Sequence, residues 1–203
     1  MAEPALPPEP DGAIRFGRTM IIAVVGDLLD QRAEGVVFPA NRRGVLGAVS
    51  TLGMVGRRPL GGSEIEREAM AQAPLELGTA IVTGATGLES RGVRHVVHAV
   101  VHRALGEPAR VEDMRRAVGA TILGADQARL RTLAIPLLGV DSGPGLVDPE
   151  PFVVAFVEET VATIRRSSPR LDRFTVTCRF QDHADATMKA FLRARERSWV
   201  RSR

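Results

Sequence analysis

Residues 19–41 read TMIIAVVGDLLDQRAEGVVFPAN, two short apolar runs separated by a polar turn, and the same pattern recurs along the chain. The first run closes at Val25 with Gly26 and Asp27 behind it; the second opens at Gly35 and ends at Asn41, fourteen residues after Asp27. Short runs rich in valine and isoleucine and bounded by glycine or proline are the signature of strands buried in a sheet. Strands are accordingly expected at 19–25, 35–38, 79–83, 94–101, 132–138 and 173–180. Helical spacing fills the gaps. Ile65, Ala69 and Ala73 share one face of 63–73, and 111–129, 149–166 and 182–197 run longer. The third of these helices is announced by Asp148 as N-cap and Pro149 in the first turn. Strands alternating with helices predict an α/β fold, a mixed or parallel sheet covered on both faces. Sheets of this kind hold ligands beyond the carboxyl ends of their strands, which directs attention to the loops after Val25, Phe38, Val101 and Leu138. The glycine-rich stretch 42–60 is the hardest to assign and is read as a helix followed by a loop.

Composition narrows the class. At 203 residues the chain suits one domain, expected over 19–197, with a disordered proline- and acid-rich tail over 1–18 and a basic tail over 198–203. Hydrophobic residues make up 44% of the chain, yet no apolar run reaches the roughly 18 residues a bilayer span needs. Residues 1–11 show no basic segment followed by an apolar one, so a cytoplasmic location is expected. A lone cysteine, Cys178, excludes an internal disulfide and a thiolate zinc site; in an expected strand it reads as a buried inert thiol. The net charge is +3, carried almost wholly by arginine, and Lys189 is the only lysine. Arg193, Arg195, Arg197, Arg201 and Arg203 read as a solvated helix face and tail. With aromatics at 4% and no tyrosine, a stacking platform for nucleic acid is disfavoured.

Five motifs in order, the first in two parts, carry a functional reading. Val25-Gly26-Asp27-Leu28 ends one strand and Val36-Val37-Phe38-Pro39-Ala40-Asn41 ends the next. Gly61-Gly62-Ser63 precedes the helix holding Ile65 and Ala69. Gly78-Thr79-Ala80-Ile81-Val82-Thr83 and Val96-Val97-His98-Ala99-Val100 follow, and Pro136-Leu137-Leu138-Gly139-Val140-Asp141-Ser142-Gly143 closes the series. In content and order this resembles the macrodomain family, the ADP-ribose-binding or Appr-1''-p-processing modules, over about 19–197. The resemblance implies a three-layer α-β-α fold around a central mixed sheet. It also implies that Asp27, with Leu28 beside it, contacts adenine, and that Asn41 lies near the distal ribose. The pyrophosphate would lie between Gly61, Gly62 and Ser63 on one side and Gly139, Val140, Asp141, Ser142 and Gly143 on the other. Glycines let backbone amides approach phosphate, and a helix N-terminus adds partial positive charge. A carboxylate at Asp27 accepts from the adenine amino group and repels the guanine carbonyl, so adenine is the expected base. Alone, Gly26-Asp27 reads equally as a turn with an aspartate cap over 28–32.

Other residues invite weaker readings. Phe180 either packs in the core or lies against the adenine. His95 and His98 face opposite sides of one strand, and His98 and His102 are about 13 Å apart along it, so no pair of them shares a metal; none is expected, nor any cofactor. Ser142 reads as a phosphate-contacting hydroxyl. Two departures from the family pattern bear on catalysis. Phe38 stands where the first asparagine is usual, and Gly62 aligns with the aspartate of hydrolytic members. Asp141 occupies a position that is usually glycine, where its charge opposes a phosphate unless it is turned away or paired; Asp141 and Asn41 are the candidate catalytic residues. Three readings stay open: a module binding ADP-ribose or an ADP-ribosylated protein, a hydrolase of ADP-ribosyl esters or phosphoribose metabolites, and an interaction module without nucleotide affinity.

Overall fold

The computed structural model describes residues 12–46, 62–104, 106–140 and 148–200. Strands β1 (Ile14–Phe16), β2 (Thr19–Val25), β3 (Gly35–Asn41), β4 (Ala80–Gly84), β5 (His95–His102), β6 (Thr132–Pro136) and β7 (Arg173–Cys178) form one sheet. Its order is β1-β2-β7-β6-β3-β5-β4. The five inner strands are parallel, and β1 and β4 run antiparallel at the edges. Helices α1 (Gly62–Met70), α2 (Val111–Gln127), α3 (Pro149–Ser167) and α4 (Gln181–Val200) complete the described elements. Apart from the helix expected within 42–60, which falls mostly outside the described residues, each expected strand and helix has its counterpart within a few residues of its expected position. The expected tail over 1–18 needs correcting at its end: Ile14–Phe16 is a strand, paired from Ile14↔Ile21 to Phe16↔Thr19 around the two-residue loop Gly17-Arg18.

Alternation along the strands sorts the interior into two layers. On β3, Val37 joins the cluster under α2, α3 and α4, whereas Val36 and Phe38 point the other way, toward Leu28, Leu29, Ile65 and Leu88. On β6, Leu133 and Ile135 take the first side and Ala134 the second. A period of two on a sheet with both faces covered gives three layers, so each inner strand is apolar almost throughout. Helix α3 shows its sequence cues directly: the Asp148 side chain accepts from the Glu150 N–H at 3.0 Å with Pro149 in the first turn, and Ser168 ends it in a left-handed conformation.

The ion pairs that tie strands together lie at the opposite edge from the strands' carboxyl ends. Asp172, ahead of β7, binds Arg18 at 2.7 Å and also Arg131. Burial on its own would raise the Asp172 carboxyl, but the hydrogen bonds and charges of Arg131 and Arg18 outweigh it and leave the group below its ordinary range. Glu34, ahead of β3, accepts from the Arg131 N–H at 2.6 Å and faces Arg94 at 3.5 Å.

Candidate functional site

Ladder pairing between β3 and β6 stops at Val36↔Ala134, while β3 stays paired with β5 to Asn41↔His102 and β6 with β7 to Pro136↔Thr177. The sheet is therefore open along this seam toward its carboxyl edge. The seam is also where chain direction divides, since β3 leads to α1 on one side and β6 to α3 on the other. Adjacent parallel strands whose following segments leave on opposite faces define the crevice in which open α/β sheets place ligands. The loops after β3 and β6, which carry Asn41 and Gly139, flank it.

At the β2 end, Asp27 does what the turn reading expects: its Oδ1 accepts from the Leu29 N–H at 2.7 Å and caps the short 3₁₀ helix Leu28–Gln31. Gln31 donates to the Asp27 carbonyl at 2.8 Å. The other carboxylate oxygen has no hydrogen-bond partner among the described residues, so cap and acceptor are compatible in one side chain. Leu28 is 1% exposed and packs in the core, which leaves only its backbone for any ligand contact. Val25 and Cys178 are in register at the ends of β2 and β7, so Asp27 and Phe180 each stand two residues beyond a paired position. Phe180 is 49% exposed and Val25 47%. Core packing of Phe180 is thus overturned: β7 ends at Cys178, and the ring lies outside the core with His183 edge-on at 5.4 Å and the Arg179 guanidinium over it at 5.4 Å.

Asn41 is 5% exposed. Its Oδ1 accepts from the N–H groups of Arg43 at 2.8 Å and Val45 at 3.2 Å, and its backbone carbonyl accepts from Gly44 at 2.9 Å. The side-chain carbonyl thus shapes the turn, leaving the amide nitrogen as the group available for donation. Gly139 has φ +87°, and a Cβ there would lie 2.5 Å from Phe152 Cδ1, so both conformation and space require glycine. Val140 is buried, so it too offers backbone rather than side chain. Gly62 and Ser63 open α1. Gly61, Asp141, Ser142 and Gly143 lie outside the described residues, as does most of the stretch 42–60.

His95, His98 and His102 are hydrogen-bonded within the fold. His98 is fully buried with Nε2 2.9 Å from Thr83 Oγ1, and burial lowers its imidazole to about 4. His95 Nδ1 meets the Thr83 carbonyl at 3.2 Å and His102 Nδ1 the Glu107 carbonyl at 2.9 Å. Phe38, in register with His98, is fully buried in the second layer, where no ligand reaches it. Among the described residues no helix is long and apolar enough to cross a membrane. Sequence reasoning did not single out Val25 and Arg179 at this end of the sheet, since an apolar strand end and a lone arginine carry no motif.

A family model described as the Macro domain matches residues 58–150. A protein of Aquifex aeolicus is 37% identical over 150 residues, 74% of this chain and 84% of that protein. The chain belongs to the Macro domain family. It spans 34% of a longer relative in Mycobacterium tuberculosis. Among solved structures, the Oceanobacillus iheyensis macrodomain with MES bound aligns with a TM-score of 0.71 at 14% identity, covering 91% of this chain and 97% of that one. The Trypanosoma brucei macrodomain in complex with ADP-ribose aligns with a TM-score of 0.64 at 21% identity, covering 85% and 68%. These likenesses are of fold.

Proposed function

We propose that the chain binds ADP-ribose, free or attached to a protein. The observation that carries this reading is the paired end of β2 and β7. There Asp27, with one carboxylate oxygen unpartnered among the described residues, stands just past the exposed Val25, and the exposed Phe180 stands just past Cys178, the residue in register with Val25, at the carboxyl edge of the sheet. An amino-bearing flat base suits that combination: apolar surface covers its faces and the carboxylate accepts from its amino group. The Asn41 amide then donates to a ribose hydroxyl, and the amides around Gly62, Ser63 and Gly139 to Ser142 take the pyrophosphate across the seam. The ADP-ribose complex of the structurally similar Trypanosoma brucei protein supports the choice of ligand.

Titration calorimetry tests it. ADP-ribose should bind the wild type, and Asp27→Asn, which retains an oxygen for the cap, should weaken binding about ten- to a hundredfold, the worth of a charge-assisted hydrogen bond. A guanine analogue should bind the wild type poorly and gain in the variant, whose amide nitrogen replaces the unused oxygen and can donate to the guanine carbonyl. Unchanged adenine preference in folded Asp27→Asn would reduce Asp27 to a helix cap. Binding is favoured over hydrolysis because Phe38 and Gly62 offer no polar group where the hydrolytic pattern has one. Mass spectrometry of a protein modified on aspartate or glutamate should therefore show little release of ADP-ribose. Rapid release abolished by Asp141→Ala would establish the hydrolase instead.

A further inference from the structure

The carboxyl edge carries more positive charge than this ligand uses. Arg42 and Arg43 occupy the two corner positions of the turn closed by the Gly44 N–H to Asn41 carbonyl bond, and both are exposed. Arg103, also exposed, follows His102, the residue in register with Asn41 on the neighbouring strand. Parallel strands lie about 4.8 Å apart, so the three side chains leave one edge from backbone positions a strand or so from each other. The Arg42 Nε donates to the Leu75 carbonyl at 3.3 Å, which fixes the stem and leaves the terminal nitrogens directed elsewhere. Neither Arg43 nor Arg103 makes an ion pair among the described residues. The nearby acids Glu76 and Glu107 are exposed and make none with them, and Glu66 beside the turn accepts from the Leu46 N–H at 3.0 Å. Several other arginines are matched: Arg18 and Arg131 with Asp172, Arg91 with Asp30, Arg116 with Asp113. An unmatched trio beside Asn41 is an electrostatic footprint for a partner of opposite sign.

Building on the reading that Asn41 lies at the distal ribose, where a carrier leaves the ligand, we infer that this rim receives an acidic protein segment. Aspartates and glutamates flanking the ADP-ribosylated residue pair with Arg42, Arg43 and Arg103. Guanidinium forks match carboxylates in pairs, whereas a nucleic-acid carrier would want an aromatic platform at this end, and none is present among the described residues. Among the described residues the only exposed large aromatic is Phe180, at the β2 and β7 end.

The test compares four probes by calorimetry on the full chain. They are free ADP-ribose, an ADP-ribosylated peptide with neutral flanks, the same peptide with acidic flanks, and an ADP-ribosylated oligonucleotide. The acidic conjugate should bind roughly fivefold or more tighter than the neutral one at low salt, with the advantage falling as salt is raised. Arg43→Gln/Arg103→Gln should erase that advantage and leave free ADP-ribose within about twofold of wild type, a change small enough to separate rim from nucleotide site. Equal affinity for the two peptides while free ADP-ribose binds would overturn the inference and leave the nucleotide reading standing. A tighter oligonucleotide conjugate would overturn it in favour of a nucleic-acid carrier. Failure of free ADP-ribose to bind would remove both.

Discussion

At the scale of residues, His98 and Phe38 show how positions inside the motifs serve the core. They are in register on adjacent strands and fully buried. His98 is held neutral, its imidazole lowered by burial from 6.5 to about 4, so between those values the unfolded chain takes up a proton that the folded one refuses. The sign follows: stability is full above pH 6.5 and is lost as pH falls toward 4, by up to about 1.4 kcal/mol per unit. The lowered His102 acts in the same sense. Denaturant unfolding at neutral pH and near pH 5 should show a loss that shrinks in His98→Gln. Phe38→Asn, which restores the family's asparagine, should cost about 3–5 kcal/mol, since it deletes a buried ring and strands an amide in an apolar layer. Unfolding midpoints measure it, and a loss below 1 kcal/mol would mean that the layer collapses around the gap. The positions of Asp27, just past β2, and of Asn41, at the end of β3, were legible in the sequence because each closes a short motif. The division of labour within them was not, since which oxygen caps a turn and which stays unused is decided in three dimensions. Phe180 left two readings because an aromatic just past a strand is apolar wherever it lies.

At the scale of elements, the cues that found the helices and strands also set their strengths. Asp148→Ala removes the α3 N-cap and should lower stability by about 1 kcal/mol without altering ligand affinity, as thermal unfolding with and without ADP-ribose would show. Gly139→Ala forces an L side chain into φ +87° against Phe152, and should cost about 2–4 kcal/mol or shift the loop after β6 and weaken binding. A stable variant with unchanged affinity would detach this loop from the site. Strand β1 escaped sequence reading because Ile14-Arg15-Phe16 offers a single buried-exposed-buried alternation, too short for a periodic window. The available signal was a two-residue glycine-containing loop between two β-rich segments, a hairpin cue. Phe16 then packs beside Phe191 of α4, with ring centroids 6.1 Å apart, a long-range contact that no local pattern announces.

At the scale of the whole molecule, one sheet joins every described strand from Ile14 to Cys178, so unfolding should be cooperative. Limited proteolysis should spare 79–138; early cleavage there would contradict a single cooperative unit. The alternation of strands and helices made the layered sheet legible, but strand order was not, because pairing β2 with β7 and β3 with β6 brings together segments far apart in the chain. The ion pairs of Asp172 and Glu34 hold the amino edge, and the candidate binding loops leave the carboxyl edge. A lineage can therefore rewrite one edge while the other keeps the strands in register. Relatives should exchange specificity by transplanting the loops after β3 and β6 onto a common frame, and a graft of that kind would acquire a new ligand at little cost in folding.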